Sequence, residues 1–304
     1  MLTRRELLKL LTALGLASTW PVLAYGKAGQ QLLRSIPSSG EKIPALGLGT
    51  SRTFDVGPDD FEREPLREVL EEFVKQGGRL IDSSPMYGAA ETVIGDLAAQ
   101  SKIQEKLFYA TKVWTTGRQA GIDQMQQSMR RMRTKTIDLM QVHNLIDTET
   151  QLKTLYQWKE QGKLRYIGIT HYLVEQFDKL EQVMRTHKLD FVQLPYSIIT
   201  RNAEQRLLPL AQEKGIAVLV NRPFEKAALF KKVKNQPLPA WASDFDCHSW
   251  GQFFLKFILA NPTVTCVIPA TSKLKHLVDN MGAGLGKLPD QETRKKMYKL
   301  IASL

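Results

Sequence analysis

Two periodicities alternate along most of this chain. Residues 61–76 carry Leu66, Val69, Leu70 and Phe73 on one face of a 3.6-residue spiral, which predicts an amphipathic helix. Residues 43–50, with Gly47 and Gly49, read as a strand ahead of it. After it, short apolar runs of strand length recur: Leu80-Ile81-Asp82 following the turn Gly77-Gly78, then 107–112, 137–142, 164–170, 191–194, 216–220 and 264–268. Helical patterns separate or follow them at 91–99, 119–133, 148–161, 174–185, 202–214, 249–260 and 274–281. Strand and helix in strict alternation, with short links, predict a parallel sheet. Eight such strands close a barrel, so the expected fold is α/β, a (β/α)8 TIM barrel. A doubly wound sheet would carry a Gly-rich fingerprint after an early strand, and the sequence has none.

Composition agrees with this and narrows the function. The 304 residues are 43% hydrophobic and 24% charged, enough for one barrel and its core. Net charge is +11, from 42 Lys+Arg against 31 Asp+Glu. The basic residues are scattered, with Lys231-Lys232 and Arg294-Lys295-Lys296 among the few runs, and no stripe interleaved with aromatics marks a nucleic-acid face. A basic surface of this kind suits an anionic cofactor or substrate. Cys247 and Cys266 make neither a metal spacing nor a disulfide framework, so no metal is expected.

Residues 1–28 stand apart. Thr3-Arg4-Arg5-Glu6-Leu7-Leu8-Lys9 precedes a moderately apolar stretch, 10–24, and then Ala24-Tyr25-Gly26. That stretch is short for a membrane span, which needs about 20 residues. The charged start, short apolar stretch and small residues resemble a twin-arginine export signal. The resemblance implies cleavage after Gly26 or Ala28, the twin-arginine export machinery as a partner, and a periplasmic or otherwise exported domain at 29–304.

Four polar residues fall at or just past the ends of successive strands, where a parallel barrel keeps its chemistry: Asp82, Tyr87, Lys112 and His143. A tyrosine is a poor acid near neutral pH unless a cation favours its phenolate. An Asp paired with a Lys would supply such a cation, because neither charge is buried cheaply alone.

In these residues and their order the chain resembles the aldo/keto reductases, over about residues 43–284. The resemblance implies a β-hairpin near 31–40 plugging the N-terminal face. It also implies hydride transfer between NADPH (NADH being possible) and a small-molecule aldehyde or ketone. Tyr87 would be the general acid, Asp82 and Lys112 a buried ion pair beneath it, and His143 a neutral group orienting the substrate oxygen. Thr170, His171 and Gln193 stand where the family holds the nicotinamide carboxamide, although His171 replaces the usual asparagine. Asn221-Arg222-Pro223-Phe224 replaces a stacking tyrosine, with Arg222 able to stack or to meet the pyrophosphate. Thr271, Ser272, Lys273, His276 and Asn280 stand where the 2′-phosphate and adenine are held, at a helix N-terminus that favours phosphate. Relatives carry a cation at the places of Ala270 or Ser272, so Lys273 would have to serve. Trp114 would line the substrate pocket; Trp241, Phe245 and Trp250 would cover the cofactor or pack their own link. Of another class is a non-catalytic NADP(H)-binding, redox-sensing subunit of the same fold, which would have no need of Asp82 and Lys112 buried together.

Overall fold

The computed structural model describes residues 29–304, so the twin-arginine motif and the apolar stretch after it lie outside the described residues. A short antiparallel ribbon comes first, β1 (Leu33–Ser35) against β2 (Lys42–Pro44), joined through a turn at Ser39-Gly40. The parallel sheet follows: β3 (Leu48–Gly49), β4 (Leu80–Asp82), β5 (Phe108–Val113), β6 (Ile137–His143), β7 (Leu164–Thr170), β8 (Phe191–Pro195), β9 (Ala217–Asn221) and β10 (Val264–Val267). Every strand pairs with its neighbour in chain order. Parallel bridges Leu46↔Val267 and Gly49↔Ala270 bring the first strand against the last and close the ring. Gly49 permits that closure, since a Cβ there would stand 2.7 Å from the Ile268 carbonyl oxygen.

Helices α1 (Asp60–Lys75), α2 (Ala90–Gln100), α3 (Arg118–Arg131), α4 (Thr148–Glu160), α5 (Phe177–Thr186) and α6 (Leu207–Lys214) cover the outside. A short α7 (Ala228–Lys232) lies in the link after β9, then α8 (Trp250–Leu259), α9 (Leu274–Gly282) and α10 (Gln291–Ser303). Their starts follow from local chemistry. Asp59, Ser249 and Asp290 cap α1, α8 and α10 by accepting the Phe61, Gln252 and Thr293 N–H groups. Among the described residues no helix is long and apolar enough to cross a membrane.

Three expectations are corrected. The run 43–50 is not one strand: Lys42–Pro44 belongs to the ribbon, and only Leu48–Gly49 pairs in the barrel. Pro44 has no N–H for a ladder and pairs at the ribbon's edge instead. The pattern 202–214 breaks into a tight turn, Asn202–Glu204, and a helix that starts only at Leu207. The pattern 174–185 likewise opens in a tight turn, Val174–Gln176.

Strand alternation sorts the barrel interior into layers. Leu80, Phe108, Ala110, Leu139, Tyr166, Phe191, Ala217, Leu219, Cys266 and Ile268 form one buried cluster, into which the ribbon inserts Ile36 and Ile43. Each fully buried Leu, Ile or Phe contributes about 1.5–3 kcal/mol. A pleated strand returns to the same side every second residue. The next inward positions beyond that apolar plug are therefore Asp82, Lys112, Gln141 with His143, Gly168 with Thr170, Gln193 and Asn221. The C-terminal end of the barrel is polar because the pattern of each strand changes there from apolar to polar.

Candidate active site

Lys112 and Asp82 are the centre of this polar layer. Lys112 is wholly buried and Asp82 nearly so, and Lys112 Nζ donates to Asp82 Oδ2 at 2.6 Å and to the Ser83 carbonyl oxygen at 2.5 Å. Burial opposes the charge on Lys112, but Asp82, with Tyr87 and Glu91, outweighs it and holds the ammonium above the usual lysine value. The other carboxylate oxygen, Oδ1, accepts from Gln193 Nε2 at 2.9 Å and from Gln141 Nε2 at 3.2 Å. Asp82 is thus bonded on both oxygens, which buried charge requires.

Tyr87 sits over the pair. Lys112 Nζ is 5.2 Å from the centre of its ring. The loop that carries it is tight: Tyr87 N–H donates to the Ser84 carbonyl at 3.0 Å. Gly88 follows with φ +58, and a Cβ there would lie within 2.1 Å of Asp55 Oδ1. Asp55 instead accepts the Ala89 N–H at 2.9 Å, just before α2 begins. Glycine after Tyr87 therefore answers both a left-handed backbone and a lack of room.

His143 ends β6 with its ring edge-on to Tyr87, the centres 6.1 Å apart. Burial, the Lys112 ammonium and the neighbouring His171 push its pKa down to about 2, so the imidazole is neutral. Its Nδ1 meets Ser84 Oγ at 3.1 Å. The Trp114 ring lies 6.4 Å from the His143 ring and is 40% exposed. Gln124 clamps the Trp114 backbone at both N–H and C=O.

These groups open into a cavity of about 1120 Å³. Asp82, Tyr87, His143, Thr170, Gln193, Arg222, Thr271, His276 and Asn280 line it; His171, Ser272, Lys273 and Trp114 do not. His171 turns its ring onto Tyr172, 5.4 Å away and nearly parallel, while its Nδ1 accepts the Leu173 N–H. Burial, with Lys179 and Arg222, keeps its pKa below the usual histidine value. Arg222, at φ 53, stacks its guanidinium on the same Tyr172 ring, 4.2 Å from its centre. Lys273 is exposed just ahead of α9, its N–H donating to Thr271 Oγ1. Gln193 is fully committed within the protein: its amide nitrogen donates to Asp82 and Gln141, and its oxygen accepts from Thr170 and Asn221. Trp241, Phe245 and Trp250 pack the link against Phe253 rather than the cavity. Phe224 and Phe230 of that link face the opening instead.

Residues that the sequence did not single out complete the site. Gln141 is inward because it lies two positions before His143 on the same strand, a signal that alternation could have given. Asn221 ends β9 with Nδ2 donating to Gln193 and the His171 carbonyl, while its buried Oδ1 has no partner. Asn144 Oδ1, also at the cavity, is another buried acceptor without a partner. Among the described residues no group of His, Cys, Asp and Glu could hold a metal ion.

A closed eight-stranded parallel barrel with a tyrosine, a buried Lys–Asp pair and a neutral histidine at its C-terminal mouth defines a class of oxidoreductase, and the chain belongs to it. The sequence profile of the aldo/keto reductase family matches residues 45–297. Among curated relatives, methylglyoxal reductase YeaE of Escherichia coli is 27% identical over 256 residues, covering 81% of this chain and 88% of that protein. Aldo-keto reductase YhdN of Bacillus subtilis is 27% identical over 201 residues, covering 61% of this chain and 60% of its own length. An aldo-keto reductase from Klebsiella pneumoniae, solved in complex with NADPH, shares the fold with a TM-score of 0.75 at 22% identity, covering 89% of this chain and 95% of that one.

Proposed function

We propose that the protein reduces an aldehyde or ketone to the alcohol, with NADPH as the hydride donor and Tyr87 as the proton donor. The observation that carries this is the buried Lys112–Asp82 pair set under Tyr87 and beside a neutral His143. A module that only bound a nucleotide would have no use for a buried cation aimed at a tyrosine ring.

The residues around the cavity fit a nicotinamide dinucleotide. Asn221 lines the cavity, and its side-chain amide suits a carboxamide. Thr170 and Gln193 adjoin it, and Gln193 would exchange one of its present partners to join that contact. Phe224, Phe230 and Tyr172 offer flat apolar faces, Arg222 and Lys226 offer positive charge, and Thr271 leads into the N-terminus of α9. Ser272 and Lys273 precede that helix start, His276 is in its first turn and Asn280 lies further along it, where the phosphate and adenine end would lie. His171 acts at the carboxamide end through its backbone carbonyl, which accepts from Asn221 Nδ2. The similarity to YeaE, named a methylglyoxal reductase, and to a barrel solved with NADPH supports the same reading.

When bound, the reduced nicotinamide supplies a hydride to the carbonyl carbon. Tyr87 gives its proton to the carbonyl oxygen, and the Lys112 ammonium stabilises the negative charge that remains on the phenol oxygen. Asp82 keeps Lys112 charged and placed. Neutral His143 donates to the same oxygen and orients it, without adding a second cation beside Lys112. Met86, which lines the cavity, would bound the space left for the rest of the substrate, with the exposed Trp114 ring standing beside His143. Purified protein titrated with NADPH and with NADH, then given a panel of aldehydes and ketones, tests this. Nicotinamide oxidation that depends on the carbonyl is expected, with NADPH bound at least as tightly as NADH; binding without turnover across the panel would overturn it.

We infer further that residues 1–28 are a twin-arginine export signal, and that residues 29–304 act outside the cytoplasmic membrane. Support for this is the order Thr3-Arg4-Arg5-Glu6-Leu7-Leu8-Lys9 ahead of a short apolar stretch. That route suits a barrel that folds around its nucleotide before crossing, because bound ligand stabilises the fold by mass action.

A further inference from the structure

We propose that Ser84 is a positioning residue that fixes His143 in the tautomer carrying its hydrogen on Nε2. This rests on the reading of His143 as a hydrogen-bond donor to the substrate oxygen, and it names what makes His143 a donor rather than an acceptor. A neutral imidazole has one N–H and one lone pair, and which nitrogen holds the hydrogen decides what the ring can do. With the hydrogen on Nδ1, the lone pair on Nε2 would face a carbonyl oxygen, lone pair against lone pair.

The hydrogen-bond accounting around Ser84 selects between the two. Ser84 is wholly buried, and its Oγ lies 3.1 Å from His143 Nδ1. The same Oγ accepts the Met86 N–H at 3.4 Å. Among the described residues the Ser84 hydroxyl makes no other hydrogen bond, and no protein group bonds His143 Nε2. If Ser84 donates to Nδ1, the hydroxyl hydrogen, the Nδ1 lone pair and the Met86 N–H are all satisfied. Nε2–H is then left for the cavity that His143 lines. If Nδ1–H donated to Ser84 instead, the hydroxyl hydrogen would be buried without an acceptor, which proteins avoid.

The loop makes this contact and the placing of Tyr87 a single device. Ser84 gives its carbonyl to the Tyr87 N–H at 3.0 Å and its hydroxyl to the His143 ring. One residue therefore sets the backbone of the proton donor and the tautomer of the orienting group. Lys112 takes no part in choosing the tautomer, since it bonds Asp82 and the Ser83 carbonyl.

The test reads the ring directly. Full-length protein labelled with ¹⁵N in its histidines is measured by NMR at neutral pH, with the His143 signals assigned by their loss in His143→Gln. The expected spectrum shows a protonated Nε2 and an unprotonated, hydrogen-bonded Nδ1. A protonated Nδ1 in the native protein overturns the proposal, whatever the variants do. In Ser84→Ala the Nδ1 shift should move toward that of a free lone pair and the Nδ1–H form should become populated. Its kcat should fall about tenfold, the worth of one hydrogen bond. Its KM should stay within about twofold. Ser84→Thr, which keeps the hydroxyl, should restore the native spectrum and most of kcat. A Ser84→Ala protein with native ring shifts and native kcat refutes the role. A native protein that shows the expected tautomer but reduces no carbonyl sinks the reductase reading and leaves the tautomer assignment standing.

Discussion

Lys112 Nζ and Asp82 Oδ2 lie 2.6 Å apart on neighbouring strands, with side chains 0% and 4% exposed. The pair is costly to bury and strongly bound once buried. What it gives the site is a fixed positive charge under Tyr87 that solvent cannot screen, since the effective dielectric there is low.

Removing the Tyr87 hydroxyl should separate binding from chemistry. Tyr87→Phe should bind NADPH as the native protein does while carbonyl reduction falls by about 10²- to 10⁴-fold, the usual share of general acid catalysis. Cofactor fluorescence titration and steady-state turnover check the two halves. Turnover near the native rate would remove Tyr87 from the role.

Lys112→Met should lose activity and stability together. It strands Asp82 as a buried charge that keeps only its amide donors, Gln141 and Gln193. Breaking one side of a buried pair costs about 3–5 kcal/mol. The double variant Lys112→Met with Asp82→Leu should recover much of that stability without recovering activity. Denaturant unfolding curves measure both; a single variant as stable as the native chain would mean the pair contributes nothing.

Acid should unfold the protein in part through His143. Its folded pKa, about 2, lies below the ordinary histidine value of about 6.5. The unfolded chain therefore binds a proton that the folded site refuses. Stability is full above about pH 6.5 and falls as pH drops below it, approaching about 1.4 kcal/mol per pH unit for this group. Between pH 7 and pH 5 that amounts to about 2 kcal/mol. His171 and His276, both held below the usual histidine value, add in the same direction. In His143→Gln the acid limb of a stability-against-pH curve should be shallower by His143's share; an unchanged limb would show that the imidazole is not held neutral.

Coenzyme choice should depend on Lys273. This lysine is exposed at the residue before α9, beside Thr271, and would contact the 2′-phosphate that NADPH has and NADH lacks. Lys273→Ala should weaken NADPH up to about fivefold, the upper end for an exposed charge pair of about 1 kcal/mol, and leave NADH unchanged. Equal weakening of both would move the contact to Arg222 or Lys226 in the cavity.

Export should require both N-terminal arginines. Arg4→Lys combined with Arg5→Lys should leave uncleaved, active protein in the cytoplasm, whereas the native chain should fractionate outside the inner membrane without residues 1–28. Fractionation with an activity assay and N-terminal sequencing decides it. A native chain that remains cytoplasmic and uncleaved would make those residues part of the working protein.

By itself the sequence determined the barrel and the place of four polar side chains at its C-terminal mouth, for a local reason. Strand and helix periodicities are written in neighbouring residues, and so is the change from apolar to polar at a strand's end. Asp82 and His143 close strands in this way, Lys112 stands one residue before the end of its strand, and Tyr87 follows the first of them within a short loop. What the sequence left open depends on distances between segments. Ser84 and His143 are 59 positions apart, and Gln193 reaches Asp82 across 111. Neither residue type nor spacing announces such contacts; they arise when eight strands close into a ring and their inward positions converge. The same convergence turned Gln193 toward Asp82, left the Asn221 oxygen buried without a partner, and stacked His171 on Tyr172. The ribbon shows the limit from the other side: 43–50 looks continuous as a pattern. Only the folded chain reveals that Pro44 pairs at an edge while Leu48–Gly49 pairs in the barrel, because strand pairing is a property of two segments and a sequence pattern describes one.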